Sequence, residues 1–528
     1  MAHQNVRGNA TGSHWNFISQ VFDHNWYDKE YSLHGAALHG FEHYVTCGVF
    51  LGNSPHRNFD EGFYTALYQD VREAIRRGEF CCGFEHYVLF GAEEERLAKH
   101  EVGPATETIF PGLAEPVEFD TVNAISWRLR PILAKPAEGP GRIWLLVPLF
   151  NPDIFFGGYK AALELVRSFH REGRAVNIVI CSHPAEDGVY ALWRLKQDVR
   201  FRDFANSVVI YNRDQDHGPL EITPDDRIIA YSCWEAFLAH DLAKLTNEHR
   251  FILLAQEYEP IFEEHGSSHA LIASAYSLPH FPIFNSKALL SYFRTNKIGI
   301  FCNLENPISG LDYAVFEHVL SMVEKPSIEE MSSRITNRFG MYARPERHAK
   351  RNLFALGIIA LRQAIDEGYF RGNWEFFGLG SAFPGSIELG LTSRLQLLPK
   401  MSELDYRDFR KSIDVALSLM YSPHPGLVAF ELAAAGARVV TNTYENRSDV
   451  DLRRISGNII PCESSIAGIK RGLIEAVSGV SNFTARIAGT HLKRDPSSSA
   501  WDDLFCPAFH RDQLGAILNA NPFHKLTV

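Results

Sequence analysis

The sequence has no apolar stretch approaching the roughly 20 residues that cross a bilayer; its densest run, "IWLLVPLF" (143–150), is far shorter. The opening "MAHQNVRGNATGSHWNF" lacks the apolar core of a secretory signal, so a soluble, cytoplasmic protein is expected. The eight cysteines are scattered, with no Cys-x-x-Cys and no Cys/His set at zinc spacing, which argues for a reducing compartment and against a structural zinc. Positive charge is also in deficit: 52 Lys and Arg face 63 Asp and Glu, a net charge of −11. A broad nucleic-acid surface is therefore excluded, and any anionic ligand must be met by a local basic cluster. The phosphate-cradling Gly-x-Gly-x-x-Gly and Gly-x-x-x-x-Gly-Lys-Ser/Thr patterns are missing, as are Gly-x-Ser-x-Gly and His-Glu-x-x-His, so nicotinamide, P-loop and common hydrolase chemistries lose support.

What is present is an ordinary globular composition, 45% hydrophobic and 22% charged over 528 residues, enough for about three domains. The first hundred residues contain a repeat: "FDHNWYDKEY" and "GFEHYVTCG" return as "FDEGFYTALY" and "GFEHYVLFG". The Phe-Asp pairs lie 37 residues apart and the Gly-Phe-Glu-His-Tyr-Val segments 43 apart, so the second copy is six residues longer. His43 and His86, with Glu42 and Glu85, have ligand-type side chains, but the tetrapeptide reads better as an aromatic packing signature. Residues 1–105 are thus expected to be a mainly helical repeat module, and the Pro- and Gly-rich 106–140 a linker or irregular edge.

Beyond it the pattern alternates. "RIWLLVPLF", "AVNIVIC", "RIIAYSC", "FILLAQ" and "FPIFNS" read as buried parallel strands separated by amphipathic helices. A second block starts near Arg338, with "RFGMYA", "NWEFFGLG", "VALSLMYS" and "ARVVTN" as strands and "ERHAKRNLFALGIIALRQAIDEG" as a helix. The expected fold class is α/β, two Rossmann-like domains (141–337 and 338–495) with a cleft between them and a C-terminal segment, 496–528, crossing back to the first.

The chemistry candidates fall on loops at strand ends. In "YSPHPGLVAFELAAAG", Ser422, His424, Pro425 and Gly426 precede a helix whose N-terminal amides suit a diphosphate, with Pro425 at its first position. Glu431 stands alone among apolar residues, so its carboxylate needs a partner or a cleft. Arg344 and Arg351 follow a strand in "YARPERHAKRN" and can fork onto phosphate oxygens, while Arg347 and Lys350 read as a solvated face. Gly157-Gly158 permits close backbone approach, and Glu257 and Glu259 in "QEYEP" offer a base or an acceptor clamp. Asp449 and Asp451 read as surface charge.

Taken together, these stretches resemble the donor-site signature of GT-B glycosyltransferases, and more narrowly of the bacterial rhamnosyltransferases of S-layer and O-antigen glycan assembly (WsaF-type). The likeness spans about residues 140–495, and the N-terminal repeat resembles Phe-Asp modules attached to such enzymes. The resemblance implies a GT-B fold and a sugar donor, dTDP-rhamnose, acting without a metal on a glycan or lipid-linked glycan at the inner face of the bacterial membrane. It implies Arg344 and Arg351 near the diphosphate, Ser422, His424, Pro425, Gly426 and Asn442 around the donor, and Glu431 on ribose or sugar hydroxyls. Gly157, Gly158 and Glu257 would border the acceptor or the phosphates, and Glu259 would act on a reacting sugar. Pro423 stands where the wider superfamily has a glutamate. The rival readings are another GT-B nucleotide-sugar enzyme, with a different donor or an epimerase activity, and a non-catalytic glycan-binding scaffold.

Overall fold

The computed structural model describes residues 18–519 other than 20, 32, 34–39, 50–51, 78, 93, 95, 100–117, 152–156, 184–187, 216, 321–322, 382–384, 399–400, 402, 425 and 494–499. The chain divides into two compact units, Met1–Glu115 with Pro384–Ser386 and Pro116–Phe383 with Ile387–Val528.

In the first unit the repeated Phe-Asp has a clear physical task. Phe22 and Phe59 are buried, while Asp23 caps helix His24–Glu30 by accepting from Trp26 N at 3.1 Å and Asp60 caps Glu61–Leu67 by accepting from Phe63 N at 2.8 Å. Each Gly-Phe-Glu-His turn runs into a π-helical turn, Tyr44–Gly48 or Tyr87–Gly91. His43 Nδ1 lies 3.0 Å from the Tyr27 hydroxyl, and His86 Nδ1 lies 3.0 Å from that of Tyr64. A side chain on Gly48 or Gly91 would collide with those same hydroxyls. Wide turn and glycine together seat a buried tyrosine in each copy, and both histidines are engaged in the packing.

The second unit holds two lobes. Strands β1 (Ile143–Val147), β2 (Val176–Ile180), β3 (Val209–Asn212), β4 (Arg227–Ala230), β5 (Phe251–Ala255), β6 (His280–Phe284) and β7 (Ala314–Val315) form one sheet in the order β3-β2-β1-β4-β5-β6-β7. Its pairs are parallel. Burial on both faces explains the continuous apolar runs: Ile143, Leu145 and Val147 enter one core, Trp144 and Leu146 the other. The second sheet contains β8 (Asn337–Tyr342), β9 (Trp374–Leu379), β10 (Gly385–Glu388), β11 (Arg394–Leu397), β12 (Val415–Leu417), β13 (Arg438–Asn442) and β14 (Ile459–Cys462), ordered β10-β11-β9-β8-β12-β13-β14. The architecture is α/β with two Rossmann-like bodies.

The chain returns to lobe one at its end. Trp501, Phe505, Phe509, Leu514, Ile517 and Leu518 share a core with β1 and β2, and the Arg227 guanidinium donates to Ile517 O at 2.6 Å.

Three local expectations need correction. Residues 118–140, read as linker, contain helix Glu118–Arg128 and strand Ala134–Pro136, which pairs with Leu220–Ile222. Arg213 holds that helix end by donating to Trp127 O at 3.1 Å and Arg128 O at 2.9 Å. The stretch "ERHAKRNLFALGIIALRQAIDEG" is not one helix: Leu353, at φ 48°, separates a 3₁₀ turn, Arg347–Asn352, from helix Phe354–Asp366. Finally, the helix after the Ser-Pro-His-Pro loop starts at Leu427 with Gly426 as its cap at φ 77°, so Pro425 precedes the cap instead of opening the helix; its own geometry lies outside the described residues.

Candidate active site between two strand-order reversals

In each sheet the strand order turns back at its first strand, between β1 and β4 in lobe one and between β8 and β12 in lobe two. At such a point neighbouring loops leave in opposite directions and open a crevice beyond the strand ends, where α/β proteins bind ligands. The loops leaving β1, β4, β8 and β12 carry, respectively, the approach to Gly157-Gly158, Tyr231, Arg344 and the Ser-Pro-His-Pro segment.

The two reversal points face each other. The carbonyl of Gly157, the first residue of α1 (Gly157–Arg171), accepts from His318 Nε2 at 2.8 Å. A Cβ on Gly157 would lie 3.2 Å from Leu427, the first residue of α4 in the opposite lobe; we number helices α2 (Cys233–Ala243), α3 (Phe354–Asp366) and α4 (Leu427–Ala434). A Cβ on Gly158 would displace Gln256 Oε1 and come within 2.9 Å of the Tyr231 hydroxyl. The space beside Gly158 is taken by these side chains, and Tyr231 is backed by Tyr159 at 4.3 Å between ring centroids.

Glu257 and Glu259 are not solvated loop carboxylates: each is less than a tenth exposed, because the chain leaving β5 turns inward as a 3₁₀ turn, Glu259–Phe262. Glu257 reaches across the lobes. Its Oε2 accepts from Ser422 Oγ at 2.9 Å and lies 4.0 Å from Arg351 Nε. Burial raises its pKa, against the opposing pull of Arg351 and the Ser422 hydroxyl. Arg351 also lies over the Phe262 ring at 4.7 Å, so it straddles the crevice. Glu259 accepts from Cys233 N, at the start of α2, at 2.9 Å. Burial pushes its carboxyl up to about 8, so at neutral pH it carries a proton. Arg344 pairs instead with Glu346 at 2.9 Å and contacts the Tyr342 hydroxyl at 3.4 Å.

The loop itself is locally braced. His424 Nδ1 accepts from Gly426 N at 3.1 Å, which puts the proton of a neutral ring on Nε2 and makes that edge a donor. Asn442 is fully buried; its Oδ1 accepts from Met420 N at 2.6 Å and its Nδ2 donates to Met420 O at 3.0 Å. Asn442 therefore fixes the root of the loop on which the donor-site residues expected from the sequence lie. Glu431 found the partner its isolation demanded: Arg410, fully buried, at 3.1 Å, with the Tyr406 hydroxyl donating at 3.3 Å. The guanidinium lies 4.4 Å from the Tyr406 ring centroid.

Several crevice residues carry no sequence signal of their own. Asn446 bridges the lobes, donating to Ala288 O at 2.8 Å and to Pro423 O at 3.1 Å, and the buried Arg447 donates to Met420 O at 2.5 Å. Both belong to the Asn-Arg-Ser that reads as a chance glycosylation pattern. Buried polar atoms accumulate here: Asn285 Oδ1 and Asn446 Oδ1 have no partner of hydrogen-bond geometry among the described residues, and the Gln256 amide meets the Tyr231 hydroxyl. Such atoms cost free energy unless something fills the site. The arrangement can hold a polar, anionic ligand between first-turn amides of α4, Arg351 and these side chains.

Among curated proteins, the O-antigen biosynthesis protein RfbC of Myxococcus xanthus is 27% identical over 256 residues, 47% of this chain but only 18% of that much longer protein. Among solved structures, Anabaena Alr3699/HepE in complex with UDP-glucose covers 72% of this chain and 100% of its own at 14% identity and a TM-score of 0.47. WaaG, a glycosyltransferase involved in lipopolysaccharide biosynthesis, covers 69% of this chain and 99% of its own at 11% identity and a TM-score of 0.42. The family models for the WsaF N-terminal and C-terminal domains match residues 142–287 and 337–474, which together make up more than half of the chain. With both domain models in order on the two lobes that build the crevice, the chain belongs to the WsaF family.

Proposed function

We propose that the protein is a glycosyltransferase of bacterial glycan assembly that moves a sugar, rhamnose from dTDP-rhamnose, onto a hydroxyl of a cell-surface glycan. The observation that carries this reading is the opposition of two strand-order reversals across one crevice lined by buried, unpaired polar atoms. Family membership and the O-antigen relative support the same class.

In this scheme the acceptor oxygen bonds to the anomeric carbon as the bond from that carbon to the diphosphate oxygen breaks. The electron pair leaves with the nucleoside diphosphate, and the acceptor proton passes to a base. Arg351 and the first-turn amides of α4, whose end carries about half a positive charge, offset the charge growing on the diphosphate. Glu431, held by Arg410 and Tyr406, orients donor hydroxyls. The Glu257–Ser422 contact keeps the lobes together and excludes water. Glu259, protonated at neutral pH, serves as a donor toward a sugar oxygen, and no step calls on a metal.

The test is a panel of nucleotide sugars scored first by thermal stabilisation, since a ligand at a hundred times its Kd adds about 2.7 kcal/mol. Release of nucleoside diphosphate is then measured with and without acceptor glycan. Acceptor-dependent release from dTDP-rhamnose is expected. Turnover without acceptor would point to an epimerase, release from another donor would correct the sugar, and binding without turnover would leave a scaffold.

A further inference from the structure

Four tyrosines form a row that runs from lobe one to the Ser-Pro-His-Pro loop of lobe two. Tyr258 and Tyr292 belong to lobe one, Tyr292 on helix Lys287–Thr295, and their ring centroids lie 5.5 Å apart. Tyr292 meets Tyr444, on the loop after β13, at 6.3 Å, and Tyr444 meets Tyr421 at 5.2 Å with the ring planes at 90°. The row ends in solvent: Tyr292 is 9% exposed and Tyr421 52%. In a perpendicular contact one ring offers its edge, so Tyr444 covers at most one face of Tyr421.

Tyr421 is exposed on a backbone that is held in place. Its N–H donates to Arg351 O at 2.7 Å, the next residue, Ser422, is fully buried and donates to Glu257 at 2.9 Å, and Asn446 donates to Pro423 O at 3.1 Å. Tyr444 is fixed as well, since its N–H donates to Arg447 O at 3.1 Å and its carbonyl accepts from Arg447 N at 2.8 Å. A ring that served folding alone would turn inward with Ser422, whereas this one stands at the solvent end of the loop that carries the candidate donor site. Tyrosine rings so placed supply contact area at small cost in conformational entropy.

The surroundings select what can lie on the ring. The exposed Glu445 carboxylate acts on the phenols of Tyr292 and Tyr444, while the neighbouring cations point inward, Arg447 to Met420 O and Arg351 toward Glu257. Negative charge at this rim opposes a phosphate there. A neutral pyranose fits, because its C–H face can cover the ring while its hydroxyls find the phenols and the carboxylate. The donor diphosphate belongs on the buried side, at the α4 amides and Arg351, which leaves the open side to the partner that arrives from solvent.

We propose that Tyr421 is a stacking platform for a sugar ring of the acceptor glycan. The proposal rests on the glycosyltransferase reading for the reaction, but the sugar contact is measurable without turnover.

The test is saturation-transfer NMR of the full chain with the methyl α-glycosides of rhamnose, glucose, mannose and galactose, with and without dTDP. Transfer to the C–H protons of at least one glycoside is expected, lost in Tyr421→Ala and kept in Tyr421→Phe. With that glycoside as acceptor, Tyr421→Ala is expected to raise its KM about ten-fold, the weight of one aromatic contact, while the donor KM and the melting temperature stay unchanged. No transfer to any glycoside, or transfer that survives Tyr421→Ala, would overturn the proposal. So would weaker binding of dTDP to Tyr421→Ala, which would make the ring a nucleobase platform, or weaker binding of dTDP-rhamnose with dTDP unaffected, which would make it a contact of the transferred sugar. Glycoside binding that depends on Tyr421 without any turnover would uphold the platform and count against the glycosyltransferase reading alone.

Discussion

Exchanging Glu431 for glutamine separates architecture from ligand binding. The substitution keeps the length of the side chain and removes its charge, leaving Arg410 fully buried beside a neutral amide. Breaking a buried ion pair from one side costs about 3–5 kcal/mol, of which a retained hydrogen bond to the glutamine oxygen recovers about 1 kcal/mol. A net loss of about 3 kcal/mol lowers the melting temperature of a lobe this size by about 6–12 °C. Circular dichroism melts measure it. Adding Arg410→Met removes the orphaned cation, and since buried pairs are replaceable by apolar residues at little cost, the double variant should melt near the wild type. Activity should behave differently. If the carboxylate also binds the donor, losing charge-assisted hydrogen bonds of about 1.5–3 kcal/mol lowers kcat/KM by roughly 10- to 150-fold, and the double variant stays impaired. A single variant as stable as the wild type would refute the buried-pair argument. A double variant with wild-type turnover would remove Glu431 from the donor site.

Three further outcomes follow from contacts described above. Glu257→Gln keeps the acceptor for Ser422 but loses its attraction for Arg351, so KM for the donor should rise about 5- to 20-fold with little change in melting temperature; an unchanged KM would sever the proposed link between the lobes and the diphosphate. Because burial raises the Glu259 carboxyl from the ordinary carboxylate range to about 8, the folded state binds the extra proton, and stability attributable to this group falls as pH rises between about 4.5 and 8, at up to about 1.4 kcal/mol per unit. Glu259→Gln should therefore gain on the wild type in melts run from pH 5 to pH 9, and a difference constant with pH would show that the proton is not there. In the first unit, Gly91→Ala forces a methyl group into the Tyr64 hydroxyl and should cost about 1–3 kcal/mol, partly restored by Tyr64→Phe; equal stability of both variants would discount the seated tyrosine.

The lobes were legible because their strands are buried on both faces, which leaves uninterrupted apolar runs such as Ile143–Val147 with amphipathic helices between them. The isolation of Glu431 among alanines and leucines signalled that it has a specific partner, but Arg410 lies 21 positions earlier on a polar helix with nothing to distinguish it from Arg407. The start of helix Phe354–Asp366 is hidden for a related reason: the periodicity runs through Leu353, and the left-handed backbone there interrupts it. The sequence marks Glu257 and Glu259 as loop carboxylates but cannot show their burial, which depends on the opposite lobe and on the start of α2. Asn446 and Arg447 illustrate the same limit, since a residue that acts by bridging distant carbonyls leaves no periodicity behind.

The return of the last helices to lobe one sets an order on biogenesis. Six large apolar side chains beyond residue 500 complete the core begun at Ile143, a contribution on the order of 10 kcal/mol at about 1.5–3 kcal/mol each. A ribosome adding about 5–20 residues per second has therefore made the whole of lobe two before lobe one can close. The nascent first lobe waits with that surface open, and a message cut off before residue 500 would spoil the lobe that was translated first.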